Sequence, residues 1–229
     1  MTSRNSLLTY VQSIRSLLLA SLVIATLVVY PIRVVGGDAT TVSVDAARRV
    51  VKLFGAGGIR GLESYQTGIL VSPSGHILTV LSTAIDSELI DCVLDDGRRY
   101  TASFLGADLR RELALLKVDG DDLPFFELSA ESPRQQVGTR VLALSNLFGV
   151  AVGDERVSIQ HGVIAAHVPL RARRGSHEAA YRGDVYILDC TTNNPGSPGG
   201  CLIDWHGKCI GMLGKAVSYT HLRAHETPL

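Results

Sequence analysis

Asn194-Pro195-Gly196-Ser197-Pro198-Gly199-Gly200 runs directly into Cys201-Leu202-Ile203-Asp204-Trp205-His206-Gly207-Lys208-Cys209-Ile210-Gly211. Three glycines and two prolines in seven residues demand tight backbone turns and exclude a helix. The apolar runs on either side of His206-Gly207 predict a β-hairpin that leaves this loop. Pro198, at the loop's centre, carries neither a hydroxyl nor a backbone N–H.

Upstream of this loop the chain reads as short apolar runs between turn clusters. The turns are Ser72-Pro73-Ser74-Gly75, Asp95-Asp96-Gly97, Asp119-Gly120-Asp121-Asp122 and His206-Gly207. Strands are expected over 50–54, 66–71, 76–81, 89–94, 99–107 and 113–118. A second series is expected over 140–145, 158–167, 184–189, 201–204 and 209–213. A short helical lead-in is expected over 42–49. Regular short strands with these turns indicate an all-β barrel or sandwich rather than alternating strands and helices. Gly55 to Gly61 is expected to be a surface loop, because it lacks the strand and helix context of a phosphate-binding loop.

The loop resembles the nucleophile loop of the HtrA/Deg branch of the chymotrypsin-like serine proteases, which reads Asn-Pro-Gly-Asn-Ser-Gly-Gly. Four further segments resemble that family in the same order. Ile69-Leu70-Val71-Ser72-Pro73-Ser74-Gly75-His76-Ile77-Leu78-Thr79 is similar to the lead-in to the catalytic histidine. Gly106-Ala107-Asp108-Leu109-Arg110-Arg111-Glu112-Leu113-Ala114-Leu115-Leu116-Lys117 is similar to the segment that carries the catalytic aspartate. Val141 to Gly149 and Gln160 to Ala166 complete the series. Five motifs in order, over roughly residues 48 to 215, are a specific signal. The resemblance implies two antiparallel six-stranded β-barrels, about 48–123 and about 137–216, meeting near Phe125 to Val137. The second barrel is expected to be incomplete.

The chemistry departs from the family. The family's Asn-Ala-His-Val-Val is replaced by Val80-Leu81-Ser82-Thr83-Ala84, which puts Ser82 at the histidine position. Glu112 stands at the aspartate position and Pro198 at the serine position. A serine-protease triad needs nucleophile, base and orienting carboxylate, plus backbone donors for the oxyanion. No acyl-enzyme forms at a proline, a serine hydroxyl is no base near neutral pH, and Glu112 has no imidazole to orient. Gly196 is the remaining oxyanion-loop donor, and losing the other costs about 2.7–4 kcal/mol of transition-state stabilisation. Ser197 is one residue early for a nucleophile, and His76, His161 and His167 belong to other strand positions. Thr192 and Gly196 are the expected substrate-pocket residues. The resemblance therefore implies a pseudoprotease that binds a peptide or unfolded protein segment, or regulates an active relative. The alternatives are an active HtrA/Deg-like serine endopeptidase and a structural envelope module.

The 22 basic residues balance the 22 acidic ones, which gives no sign of a nucleic-acid partner. Arg171-Ala172-Arg173-Arg174 is expected to be a solvated loop. Residues 1–39 read as a targeting segment: Arg4 and Arg15 precede an apolar run from Leu17 to Tyr30. Two readings stand, a cleaved signal peptide ending near Gly37-Asp38-Ala39 and an uncleaved membrane anchor. Both place the folded part outside the cytoplasm, in a periplasm or envelope. Residues 40–216 are the expected protease-fold domain. Residues 217–229 resemble an adapter-derived peptide and are expected to be foreign to the fold. His221 and His225 stand at helical spacing beside Glu226, too few ligands for a metal site. No cofactor and no metal are implied, and the sequence is silent on oligomeric state. Cys92, Cys190, Cys201 and Cys209 show no Cys-x-x-Cys spacing, and no bridge is expected between Cys201 and Cys209, which are not opposite in the simplest hairpin register.

Overall fold

The computed structural model describes residues 38–55, 64–87, 89–129, 133–174 and 177–214. The expected targeting segment, the greater part of the Gly55 to Gly61 loop and the 217–229 tail, with its two histidines, lie outside the described residues.

One helix, α1 (Ala39–Ala47), precedes eleven strands: β1 (Val50–Gly55), β2 (Tyr65–Leu70), β3 (His76–Val80), β4 (Ile90–Val93), β5 (Arg99–Asp108), β6 (Leu113–Lys117), β7 (Arg140–Ser145), β8 (Ser158–Arg174), β9 (His177–Leu188), β10 (Cys201–Ile203) and β11 (Cys209–Met212). Helix α1 starts earlier than the expected 42 because Asp38 caps it, its carboxylate accepting from the Thr40 N–H at 3.4 Å.

The first six strands close into a barrel in the order β1-β2-β3-β6-β5-β4, every pair antiparallel. The described strands of the second half form an open five-stranded sheet, ordered β11-β10-β7-β8-β9. The mostly β, two-barrel architecture is thus the one expected. Its first barrel is complete, and its second half is a half-barrel rather than a closed six-strand set.

Strands β1 and β2 bury residues on both faces, so their apolar side chains do not alternate with exposed ones. Val51, Leu53 and Leu70 point into the first barrel with Ile77, Ile90 and Leu116. Val50 and Ile69 point the other way, into a cluster with Ala46, Ala47, Leu142, Leu144 and Ile203. Alternation disappears where a sheet is covered on both sides. Burying each Val, Leu or Ile contributes about 1.5–3 kcal/mol, so this shared cluster holds the halves together. Leu53→Ala in the barrel costs about 2–5 kcal/mol.

A buried charge adds to that joint. Lys52 is fully buried and donates to the carbonyls of Gly153 at 2.6 Å and Glu155 at 2.9 Å. Burial is the main cause that pulls the Lys52 ammonium below its usual range, and Asp95, Glu155 and Asp154 oppose it.

The β8–β9 hairpin corrects the sequence reading. Arg171-Ala172-Arg173-Arg174 is not a loop but the end of β8, with Arg171 opposite Arg182 and Arg174 opposite His177. The strands run past the apolar stretch that marks them in sequence. The ladder carries the ribbon further, with register shifts between Ile164 and Ala166 and between Arg171 and Arg173.

Candidate functional site

The loop 194–200 folds as two successive tight turns. The Ser197 N–H donates to the Asn194 carbonyl at 3.1 Å, and the Gly200 N–H to the Ser197 carbonyl at 3.0 Å. Gly196 (φ 82°) and Gly199 (φ 84°) hold the left-handed conformations these turns need. A Cβ on Gly196 would stand 2.0 Å from the Asn146 carbonyl oxygen, and one on Gly199 1.9 Å from that of Thr67. Side chains are excluded at both positions by contact as well as by conformation.

Strand β2 holds this loop from the first barrel. The Thr67 N–H donates to the Pro198 carbonyl at 3.0 Å. The Thr67 hydroxyl donates to the Gly196 carbonyl at 2.7 Å and accepts from the Asn146 N–H at 2.9 Å. Asn146 clamps the neighbouring turn with both ends of its amide, giving to and taking from Ala151 at 3.0 Å. The Phe148 N–H reaches the Pro195 carbonyl at 2.7 Å.

Ser82 caps the one-turn helix Thr83–Ile85, accepting from the Ala84 N–H at 3.0 Å. Its hydroxyl donates to the Gln66 side-chain carbonyl. Gln66 is buried and spends its amide on the Thr79 hydroxyl at 2.7 Å and the Val80 carbonyl at 2.9 Å. Thr79 closes the chain by donating to the Thr67 carbonyl at 2.6 Å. A continuous network of uncharged groups therefore runs from Ser82 through Gln66, Thr79 and Thr67 to Gly196.

Glu112 meets the chain at Leu81, one residue before Ser82. Its carbonyl accepts from the Leu81 N–H at 2.8 Å, one step beyond the Val80–Leu113 pair of β3 and β6. Glu112 is itself in the left-handed region (φ 54°). Glu112 is thus tied to Leu81, the residue before Ser82, and Pro198 is tied to β2 through Thr67. Thr192 is half-buried in the segment that enters the loop. The Tyr65 ring lies against the loop, its Cε2 3.1 Å from where a Cβ on Gly196 would stand.

Ser197 is fully buried and its hydroxyl has no hydrogen-bond partner among the described residues. His76 is engaged with Ser72 at 2.7 Å, at the far end of β3 from Ser82. His161 packs edge-on against Trp205 at 5.3 Å, and His167 against Tyr186 at 5.2 Å. Among the described residues, no group of three or more His, Cys, Asp or Glu stands together in a way that would hold a metal ion.

Sequence reasoning missed Gln66, Thr67 and Thr79. The available signal was three polar residues inside strands that are otherwise apolar, where an inward polar group must find partners.

Residues 66–212 match the family profile described as trypsin-like peptidase domain. A probable periplasmic serine endoprotease, DegP-like, from Chlamydia pneumoniae is 32% identical over 152 residues, covering 66% of this chain and 29% of that protein. One of the same description from Pseudomonas fulva is 32% identical over 158 residues, covering 69% and 30%. The chain thus spans under a third of the length of these relatives. Among solved structures, an HtrA-type protease, AlgW, in complex with a tripeptide superposes with a TM-score of 0.63 at 29% identity, covering 77% of this chain and 54% of that one. The serine endoprotease from Yersinia pestis has the same fold, with a TM-score of 0.59 at 24% identity, covering 77% and 57%.

Proposed function

Because the chain belongs to the trypsin-like peptidase domain family, in its HtrA/Deg branch, we propose that it is an extracytoplasmic protease-fold domain without peptidase activity, which binds an extended peptide or unfolded protein segment or regulates an active relative. The observation that carries this reading is Pro198. At the position where the family's motif has its nucleophile, this chain has no hydroxyl to acylate and no N–H to meet an oxyanion. Gly196 is left as the lone oxyanion-loop donor.

The other two positions support the same reading. Ser82, aligned with the histidine, is committed as a helix cap and as a donor to Gln66. Glu112, aligned with the aspartate, has no imidazole at position 82 to orient. The backbone frame around them is nevertheless kept: the 194–200 loop is folded, glycine-dependent and tied to β2. A frame without its reacting groups is suited to holding a chain segment rather than cutting it, with Thr192 and Gly196 lining the place. Among solved relatives, AlgW is described with a tripeptide, in accord with peptide binding on this scaffold. The periplasmic relatives favour an extracytoplasmic site of action. Residues 40–216 form the functional domain in this reading, and residues 1–39 deliver or anchor it.

A serine-directed fluorophosphonate probe, applied to the folded chain alongside an unstructured protein substrate, tests the proposal. No labelling and no cleavage are expected. Labelling that disappears in Ser197→Ala would restore the active endopeptidase reading suggested by the relatives' names.

A further inference from the structure

The four cysteines, Cys92, Cys190, Cys201 and Cys209, are all free thiols in the structure. Two of them belong to one hairpin. Cys201 opens β10 immediately after Gly200, and Cys209 opens β11. In the ladder Cys201 faces Met212 and Cys209 faces Ile203, so the two are not cross-strand partners. The register shifts between Leu202 and Ile203, which leaves Ile210 as the extra residue on β11. A bulge of this kind tightens the local twist and re-aims the flanking side chains. Both cysteines belong to the cluster around Ile203, and their sulfurs stand 3.3 Å apart. A disulfide needs about 2.0 Å, so the remaining gap is 3.3 less 2.0, about 1.3 Å, within reach of a modest side-chain rotation.

We infer that Cys201 and Cys209 form a reversible disulfide that staples the β10–β11 hairpin directly behind the 194–200 loop. The other thiols are poorly placed for this chemistry. Cys92 is sealed in the first barrel, where burial pushes its thiol up to about 12. Cys190 lies beside Asp189 and Gly162, and burial raises its thiol as well. Cys209 differs from both. The Cys201 S–H donates to its sulfur, which favours the thiolate and lowers its pKa. Cys201 is fully buried, and that burial keeps its own proton on.

This asymmetry sets an order of events. Cys209 is half-buried and meets an external oxidant first. Its thiolate attacks one sulfur of a small-molecule or protein disulfide, forming a mixed disulfide and expelling one thiolate. Cys201 then loses its proton, attacks the Cys209 sulfur and expels the second thiolate. Two protein thiols and one external disulfide become one protein disulfide and two external thiols, with two electrons passed to the oxidant.

The staple acts on the loop through the backbone. The Gly199 N–H donates to the Leu213 carbonyl at 2.9 Å, and the Leu213 N–H donates to the Gly200 carbonyl at 2.8 Å. The exit of the loop and the end of β11 are therefore one hydrogen-bonded unit. Fixing β11 against β10 fixes the floor under Gly199 and Gly200. This inference stands apart from the reading of the site as silent, since it concerns the loop's support and not its reacting groups.

The test uses the folded full chain, incubated with glutathione disulfide and then with a dithiol reductant. Free thiols are expected to fall from four to two. The mass falls by about 2 Da, and peptide mapping joins Cys201 to Cys209. The thermal midpoint rises by about 5 °C and returns on reduction. Cys201→Ser is expected to arrest the reaction as a glutathione adduct on Cys209, while Cys209→Ser leaves Cys201 unreacted. Retention of four thiols, a lasting adduct on wild-type Cys209, a bridge to Cys92 or Cys190, or a Cys209→Ser chain that oxidises like the wild type would each overturn the assignment. A bridge that forms without raising the midpoint would overturn the staple.

Discussion

The Thr67 hydroxyl, on the first barrel, donates to the Gly196 carbonyl in the loop of the second half at 2.7 Å while accepting from Asn146 at 2.9 Å. One fully buried oxygen thus satisfies two backbone groups that water cannot reach. Thr67→Val keeps the shape and orphans both, at an expected cost of about 2–4 kcal/mol. Thr67→Ser loses only a methyl, about 1 kcal/mol. Urea unfolding of both variants checks this; equal losses would show that the hydroxyl bonds contribute nothing.

Gln66 is the hub of the polar network. Gln66→Leu leaves the Val80 carbonyl and the Ser82 hydroxyl without their partner, and about 2–3 kcal/mol of stability should go with them. Gln66→Glu places carboxylate oxygen against the Val80 carbonyl and should be the worse substitution at neutral pH. Thermal midpoints in the order wild type, Leu, Glu are expected. A Glu variant as stable as the wild type would contradict the bonding described.

Gly199→Ala is expected to cost at least about 2 kcal/mol, since the left-handed backbone is strained for any side chain. The new methyl would also meet the Thr67 carbonyl oxygen at 1.9 Å. Gly138, also left-handed (φ 89°) but with nothing within 4 Å of an added Cβ, supplies the control. Its alanine variant should lose only the conformational part. Comparable losses at the two sites would remove the contact argument.

Glu155 makes the turn at 152–155 acid-sensitive. The Gly153 N–H, at 2.7 Å, is the main cause holding its carboxyl below the usual 4.5, helped by the Val152 N–H at 3.1 Å and the Lys52 charge. A carboxyl lowered by folding stabilises the folded state fully above its unfolded value of 4.5. That contribution is lost as pH falls through the lower folded value. The amide shift of Gly153 should titrate with a midpoint below 4.5, and Glu155→Gln should abolish the transition. A midpoint above 4.5 would reverse the sign.

The strands were legible where a short apolar run ends in a turn cluster that has only one structural use. Arg140–Ser145 is one such run, and the β2–β3 hairpin around Ser72-Pro73-Ser74-Gly75 is another. The outer half of the β8–β9 ribbon was not, because Arg171-Ala172-Arg173-Arg174 carries no apolar run to mark it as strand. The loop at Asn194 to Gly200 announced itself by composition. Its support did not: Gln66, Thr67 and Thr79 look in sequence like ordinary polar positions of a half-exposed strand. Only the register of β2 against β3, and the arrival of Gly196 and Pro198 from well over a hundred residues away, makes them interior. The meeting of Cys201 with Cys209 was hidden for a related reason. It depends on a bulge at Ile210, and a one-residue slip is invisible to hairpin counting.

Helix α1 packs Ala46 and Ala47 into the cluster of Leu142, Leu144 and Ile203, although it precedes the first barrel in the chain. Of the described elements it is the first synthesised, and Leu142, Leu144 and Ile203 of its cluster come from the second half. Through the whole time that β1 to β6 emerge, the small apolar face of α1 has nothing of its own cluster's second half to rest on. Contacts this distant close slowly, because the intervening chain must be ordered before they form. A ribosome or export channel that stalls before β10 would release a chain in which the cluster around Ala46 and Ala47 still lacks Cys201 and Ile203.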